Sequence, residues 1–283
     1  MADGSTRQAM PRRAGVPDGR MNDPAYQRLT QWLEGLDSAA VAFSGGADSG
    51  LLLALARDAW GGRVLALTLV APYMVRQEIS DAVAFASGLG VRHELLELSM
   101  PQSMEDNPPE RCYLCKHALY EQLTAAAERL GFGTVLDGTN LDDLKDYRPG
   151  LRAVRELGIR TPLLDCSITK ADVRRISHAL GLPSWRKPTN ACLLTRLPFG
   201  QRVTMSALQR IEEAERILLA HGFDWVRVRL HGGLARIEVA REQRGRLLAE
   251  AEAVVTALRA LGFRHVTLDL EGYRLGSMNE PVD

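Results

Sequence analysis

The stretch Val41-Ala42-Phe43-Ser44-Gly45-Gly46-Ala47-Asp48-Ser49-Gly50 limits the folds open to this chain more than any other. Val41 to Phe43 form a short apolar run that suits a buried strand. Two glycines break it, and Leu51-Leu52-Leu53-Ala54-Leu55-Ala56 follows with high helix propensity. The pattern predicts a strand, a tight loop and a helix N-terminus. Backbone N–H groups of such a loop converge on one point, and the positive end of the helix dipole strengthens the field there, so an anion is the expected ligand. Gly45 and Gly46 let the backbone approach a phosphate, and the hydroxyls of Ser44 and Ser49 can donate to it. Asp48 accepts only, so it needs a divalent cation between itself and a phosphate.

Ser-Gly-Gly-x-Asp-Ser after a strand resembles the pyrophosphate loop (PP-loop) of the ATP-pyrophosphatases, which split ATP into AMP and pyrophosphate. The resemblance implies ATP and Mg2+ as cofactors, with Ser44, Gly45, Gly46 and Ser49 on the pyrophosphate and Asp48 on the metal. No Gly-Lys-Ser/Thr occurs, which excludes a Walker loop. A plain glycine turn with a capping serine is the bland alternative, and the strand-helix context weighs against it. Gly50 stands where such loops usually carry a second Ser or Thr.

From Tyr26 onward helical and strand patterns alternate, which predicts a parallel sheet covered on both faces. Helices are expected near Tyr26–Leu36, after the loop, at Arg76–Leu89, Tyr113–Leu130 and Lys170–Leu180. Strands are expected at Val41, Arg63–Val70, Val91–Leu98 and Thr134–Asp137. Ligands in such sheets sit beyond the carboxyl ends of the strands, so the loops after Val70, Leu98 and Asp137 should surround the pocket of Ser44. Gly138-Thr139-Asn140-Leu141-Asp142-Asp143 follows the last strand directly. Its composition alone suits an Asn/Asp turn, and its position makes Gly138 and Asn140 candidate nucleotide contacts. Beyond Pro198 the pattern changes to a helix at Ser206–Ala220, strands at Trp225–Leu230 and Leu234–Val239, one helix at Arg241–Leu261 and a strand at Arg264–Leu270. The reading is a disordered tail over 1–22, with Met21 as a possible natural start, an α/β PP-loop domain over 23–198, and a small α+β domain over 199–283 for substrate binding and oligomerisation.

A chain of 283 residues with 46% hydrophobic residues can bury a sizeable core, and 35 Lys+Arg balance 35 Asp+Glu. A holder of long nucleic acid usually carries a basic excess, so a nucleic-acid partner is not expected. No apolar run is long enough to span a bilayer and no apolar signal core opens the chain, which suggests a cytoplasmic protein and no membrane partner. Its four cysteines should then be thiols, metal ligands or catalysts.

Cys112 and Cys115 form Arg-Cys-Tyr-Leu-Cys-Lys at the start of a predicted helix, a spacing that lets both sulfurs reach one metal. A closed zinc site wants four ligands, and no second C-x-x-C is present. Cys192 lies in a loop with Arg186, Lys187 and Arg196, cations that would favour its thiolate; a small buried apolar residue is the bland alternative. Three thiolates with one open iron position would fit Cys112, Cys115 and Cys192. Cys166 lies outside any motif and reads as packing. Arg227 and Arg229, two apart on a strand, share one face, as surface charge or as a paired site for phosphate or carboxylate. Glu215 and Glu238 could lie near them as ligands of a divalent ion.

With these motifs in hand, the chain resembles the LarE family of ATP-dependent sulfur transferases. The resemblance is carried by Ser44–Ser49, Asn107–Lys116, Asp137–Asp143, 146–150, Lys187–Gly200, Leu234–Val239 and 272–280. It implies insertion of sulfur into pyridinium-3,5-biscarboxylic acid mononucleotide on the way to the nickel-pincer cofactor of lactate racemase. A carboxylate is adenylylated, pyrophosphate leaves, and sulfur displaces AMP. Some members of the family give up the sulfur of the cysteine matching Cys192. Others carry three cysteines and use a [4Fe-4S] cluster, and the Cys112/Cys115 pair points to that form. Arg227, Arg229 and Arg196 are the expected substrate contacts, and a homo-oligomer is expected. A tRNA thiolase of the same superfamily would also combine loop and cysteines, but there is no basic excess or added RNA-binding module. A non-catalytic adenine-nucleotide sensor needs only the loop and leaves the cysteines unexplained.

Overall fold

The computed structural model describes residues 22–145, 149–187 and 191–274. The expected tail before Asn22, with Met21, lies outside the described residues, as do 146–148, 188–190 and the motif residues from Leu275 onward.

Asp23 caps the first helix, α1 (Pro24–Glu34), by accepting from the backbone of Ala25 at 2.9 Å and Tyr26 at 3.3 Å, and Pro24 suits the first helical position. Then come β1 (Ala39–Ala42), α2 (Ala47–Trp60), β2 (Val64–Val70), α3 (Arg76–Leu89), β3 (Arg92–Glu97), α4 (Arg111–Arg129) and β4 (Val135–Leu136). Three helices that the periodicity does not all foretell, α5 (Gly150–Glu156), α6 (Pro162–Asp165) and α7 (Lys170–Ala179), complete this unit. The sheet order is β3-β2-β1-β4 and every pairing is parallel, with Ala39 opposite Val64 and Ala40 opposite Val135.

The strand period of two sorts β1 between two cores. Ala39, Val41 and Phe43 pack with α1, α2, α3 and α7, while Ala40 and Ala42 pack with Leu123 and Ala127 of α4 and Val154 of α5. Both faces are covered, which is why the strand reads as a continuous apolar run instead of an alternating one.

The second unit runs α8 (Met205–Ala220), β5 (Arg227–His231), β6 (Leu234–Glu238), α9 (Arg244–Ala249), α10 (Ala251–Ala260) and β7 (His265–Leu268). β5 and β6 form an antiparallel hairpin and β7 joins β6 in parallel. The single helix expected over Arg241–Leu261 is divided. Glu250 leaves helical geometry (φ −96°, ψ 11°) where its carboxylate is held by Arg246 and His221. The core of this unit also takes in Ala71, Tyr73 and Met104 from the strand-end loops of the parallel sheet, together with Leu193, Leu194 and Leu197. The segment around Cys192 is thereby packed between the two units.

Candidate functional site

The loop leaves β1 at Phe43, whose N–H donates to Leu67 at 2.8 Å, and turns at Gly45 with φ +72°. A Cβ there would sit 3.0 Å from the Ala82 side chain, so the turn requires glycine for both conformation and space. Gly46 is the N-cap of α2 and supplies no side-chain acceptor, leaving first-turn N–H groups for a ligand. Ser49 Oγ accepts from Ser44 N–H at 3.3 Å and lies 3.1 Å from Ser44 Oγ, so the two hydroxyls share one spot. Asn140 donates from Nδ2 to Asp48 Oδ1 at 3.1 Å. Asp143 fixes Asn140 by accepting its backbone N–H at 3.1 Å, and Lys170 lies 3.1 Å from Asp143. Gly138 lets this segment press on the helix start, since a Cβ there would be 2.9 Å from Ser49 N. A side chain at Gly50 would meet Ser184 Oγ at 2.9 Å and Phe85 at 3.2 Å, so the glycine answers to packing behind the loop.

Cys112 and Cys115 stand three apart in the first turn of α4 and so on one side of it. Asn107, at φ +46° and fully buried, donates from Nδ2 to the carbonyls of Leu194 (3.3 Å), Leu197 (3.1 Å) and Pro198 (2.9 Å). It thereby staples the approach to α4 onto the segment of Cys192. Leu193 N–H donates to Tyr73 O at 2.9 Å and anchors the same segment to the end of β2. The result is one cavity of about 350 Å³ whose lining includes Ser44, Thr68, Arg111 and all three of Cys112, Cys115 and Cys192. Cys166 does not join them; it packs in the core beside α1. All four cysteines are unbridged.

Arg196, Arg227 and Arg229 are brought together behind the Cys192 segment and do not line that cavity. Arg196 pairs with both oxygens of Glu215 at 2.9 and 3.0 Å and donates to the carbonyls of Ala191 (2.6 Å) and Cys192 (3.1 Å). Arg229 pairs with Glu238 at 2.9 and 2.7 Å and donates to Thr195 O at 2.8 Å. Arg227 lies 5.1 Å over the Tyr273 ring. Glu215 and Glu238 are thus partners of arginines. Among the described residues, no three His, Cys, Asp or Glu side chains are grouped as the ligands of a metal ion.

Similarity to known proteins decides what this arrangement belongs to. No family model matches the chain. It is 37% identical over 257 residues, 90% of this chain and 93% of the relative, to the pyridinium-3,5-bisthiocarboxylic acid mononucleotide synthase of Lactiplantibacillus plantarum. The chain belongs to the LarE family. It is also 42% identical to an uncharacterised protein of Synechocystis over 92% of this chain and 98% of that one, and 34% identical to an uncharacterised protein of Methanocaldococcus jannaschii over 83% and 90%. Among the described residues of this LarE-family chain, no helix is long and apolar enough to cross a membrane.

The electrostatics of its sulfur end depart from expectation. Burial pushes the Cys115 thiol up to about 12, with Cys192 and Cys112 adding to the rise against a hydrogen bond between Cys115 Sγ and Tyr73 Oη at 3.1 Å. Cys192 is also raised, by burial and then by Cys112, against the opposing charges of Arg196 and Arg111. The thiolate expected from Arg186, Lys187 and Arg196 is therefore not favoured. Lys187 faces Glu78 at 3.3 Å and Asp81 at 2.9 Å, Arg186 lies over Trp185, and Arg196 is neutralised by Glu215. Cys112, Cys115 and Cys192 sense one another across one cavity but are not drawn together as a metal site in this structure, and binding a metal or cluster there would release their protons.

Sequence reasoning missed several residues of this LarE site. Arg111 flanks the C-x-x-C, and its adjacency was the available signal. Lys116, the other flank, lies 3.1 Å from Asp137 at the end of β4, which also accepts from Tyr120 Oη at 2.6 Å. Burial opposes the Asp137 charge, yet Lys116, Thr139 and Tyr120 together hold its carboxyl below the ordinary range. Tyr73 had no sequence signal beyond its place after β2.

Proposed function

We propose that this chain is an ATP-dependent sulfur transferase that converts the carboxylates of pyridinium-3,5-biscarboxylic acid mononucleotide to thiocarboxylates for the nickel-pincer cofactor. The observation that carries this reading is that Ser44 of the PP-loop and all three cysteines line one cavity. A carboxylate is a poor electrophile because oxide is a hopeless leaving group, and adenylylation replaces it with AMP. A substrate carboxylate oxygen attacks the α-phosphorus of ATP and pyrophosphate leaves. A sulfide sulfur then adds to the carbonyl carbon, and AMP departs with the electrons of the C–O bond. One ATP and one sulfur are consumed per thiocarboxylate.

Gly45, Gly46, Ser44 and Ser49 hold the pyrophosphate with backbone and hydroxyl donors. Asp48, oriented by Asn140, would hold Mg2+, and Gly138 keeps Asn140 close to the loop. Cys112, Cys115 and Cys192 would hold a [4Fe-4S] cluster, which when bound would supply the sulfide for the transfer. Arg196, Arg227 and Arg229, gathered on the second unit, are the cations that would attract the substrate phosphate there.

Anaerobic protein given ATP, Mg2+, sulfide and the mononucleotide should release pyrophosphate and form thiocarboxylate. Cys112→Ala, Cys115→Ala and Cys192→Ala should each abolish transfer, and Cys166→Ala should not. Intact mass after one turnover should be unchanged. A dehydroalanine at position 192 with Cys112→Ala still active would make Cys192 itself the sulfur source, and no pyrophosphate release would end the adenylylation reading.

A further inference from the structure

Arg111 opens α4 one residue before Cys112, is 2% exposed, and lines the cavity. Its partners are few for a buried guanidinium. Nη1 donates to Asn107 Oδ1 at 3.2 Å, the side chain hydrogen-bonds the neighbouring Cys112, the group lies 4.2 Å over the Phe199 ring, and Nε is buried with no hydrogen-bond partner. No carboxylate pairs with it among the described residues, whereas Arg196 and Arg229 are each held by both oxygens of a glutamate. A buried cation without a counter-ion is costly, and packing alone does not account for one. Its charge instead acts on Cys112 and Cys192, the side of the cavity where sulfur must meet the acyl carbon.

We propose that Arg111 is a specificity-determining residue that receives a ring carboxylate of the substrate at the sulfur end of the cavity. The inference rests on the pyridinium dicarboxylate reading above. While one carboxyl is activated, the other remains anionic, and each product thiocarboxylate is anionic too, so an anion occupies this end at every stage. A guanidinium presents a planar fork that matches a carboxylate, and Phe199 beneath it fixes the plane of that fork.

A phosphate could satisfy the same cation, so the test uses mononucleotides that differ only at the ring: nicotinic acid mononucleotide, with one ring carboxylate, and nicotinamide mononucleotide, with a carboxamide. Binding of each, and of the biscarboxylate, is measured calorimetrically on the full chain and on Arg111→Gln. Circular dichroism and ATP affinity check that the variant is folded. We expect affinity for both carboxylate ligands to fall roughly ten- to hundredfold while the carboxamide ligand is unaffected, with Arg111→Lys in between because it keeps the charge and loses the fork. Equal losses for carboxylate and carboxamide ligands would place the phosphate there and overturn the proposal. Unchanged affinities with slower alkylation of Cys112 would make Arg111 a counter-ion of the thiols and overturn it as well. Wild-type protein that binds none of the three would instead sink the substrate reading on which the proposal stands.

Discussion

At the Ser44 end of the cavity the groups of the proposed anion site come from six consecutive residues, Ser44 to Ser49, held by the backbone of one strand and one helix. At the sulfur end, the side chain of Asn107 reaches the carbonyl of Leu194, 87 positions away, and Arg229 of the second unit reaches the carbonyl of Thr195, 34 positions away. The first end takes its donors from local conformation, with Asn140 and Gly138 pressing on it from outside. The second exists only when two units have docked. The proposed nucleotide binding and sulfur delivery would therefore depend on different parts of the folding free energy, and variants should damage them separately.

The largest effect should come from Arg196→Met. It leaves Glu215 buried without its counter-ion and takes the donor from the carbonyls of Ala191 and Cys192. Burial works against the Arg196 charge, but Glu215 more than compensates and raises its pKa, so the guanidinium stays charged. Breaking such a pair costs about 3–5 kcal/mol, read as a loss of unfolding free energy in urea. Adding Glu215→Leu should recover part of it. If the two ends are separately built, the folded fraction of Arg196→Met keeps wild-type ATP affinity; a parallel loss of ATP affinity would break the comparison.

A smaller effect is expected from Gly138→Ala, where the new Cβ would meet Ser49 N at 2.9 Å and force the start of α2 to move. Overpacking against backbone costs roughly 1–3 kcal/mol, and here it should appear as weaker ATP binding with the cysteines undisturbed. Gly133→Ala, which opens onto empty space, is the matched control and should leave both stability and ATP affinity near wild type.

The same division explains what the sequence revealed. Arg76–Leu89 was legible to the residue because its periodicity is local, and β1 because both of its faces are buried. The loop residues fell where the motif put them. The charge state around Cys192 was not legible, because proximity in sequence said nothing of Glu78, Asp81 and Glu215 arriving from α3 and α8 to neutralise Lys187 and Arg196. Arg111 and Tyr73 escaped for the same reason: what distinguishes them is burial against residues distant in the chain. The division of the helix at Glu250 depends on His221 of the preceding helix-strand connection, which no local pattern contains.

Tyr73→Phe is the most delicate probe of the sulfur end. It removes the hydrogen bond between Tyr73 Oη and Cys115 Sγ and should cost about 1 kcal/mol of stability. Its sharper readout is pH. Burial holds the folded Cys115 thiol near 12, above its usual 9.0, so the folded state keeps a proton that the unfolded chain loses. The stability this contributes is fully present below about pH 9 and is lost as pH rises toward 12. Alkylation of Cys115, followed peptide by peptide in mass spectra, should accordingly keep rising from pH 9 toward 12 in place of levelling off near 9. The Tyr73 hydroxyl favours the thiolate, so in Tyr73→Phe the profile should move to still higher pH while the ATP affinity of the Ser44 end is unchanged. A profile that levels off near 9 in the wild type would mean that burial does not set the thiol, and a downward shift in Tyr73→Phe would mean that the hydroxyl does not support the sulfur as an anion.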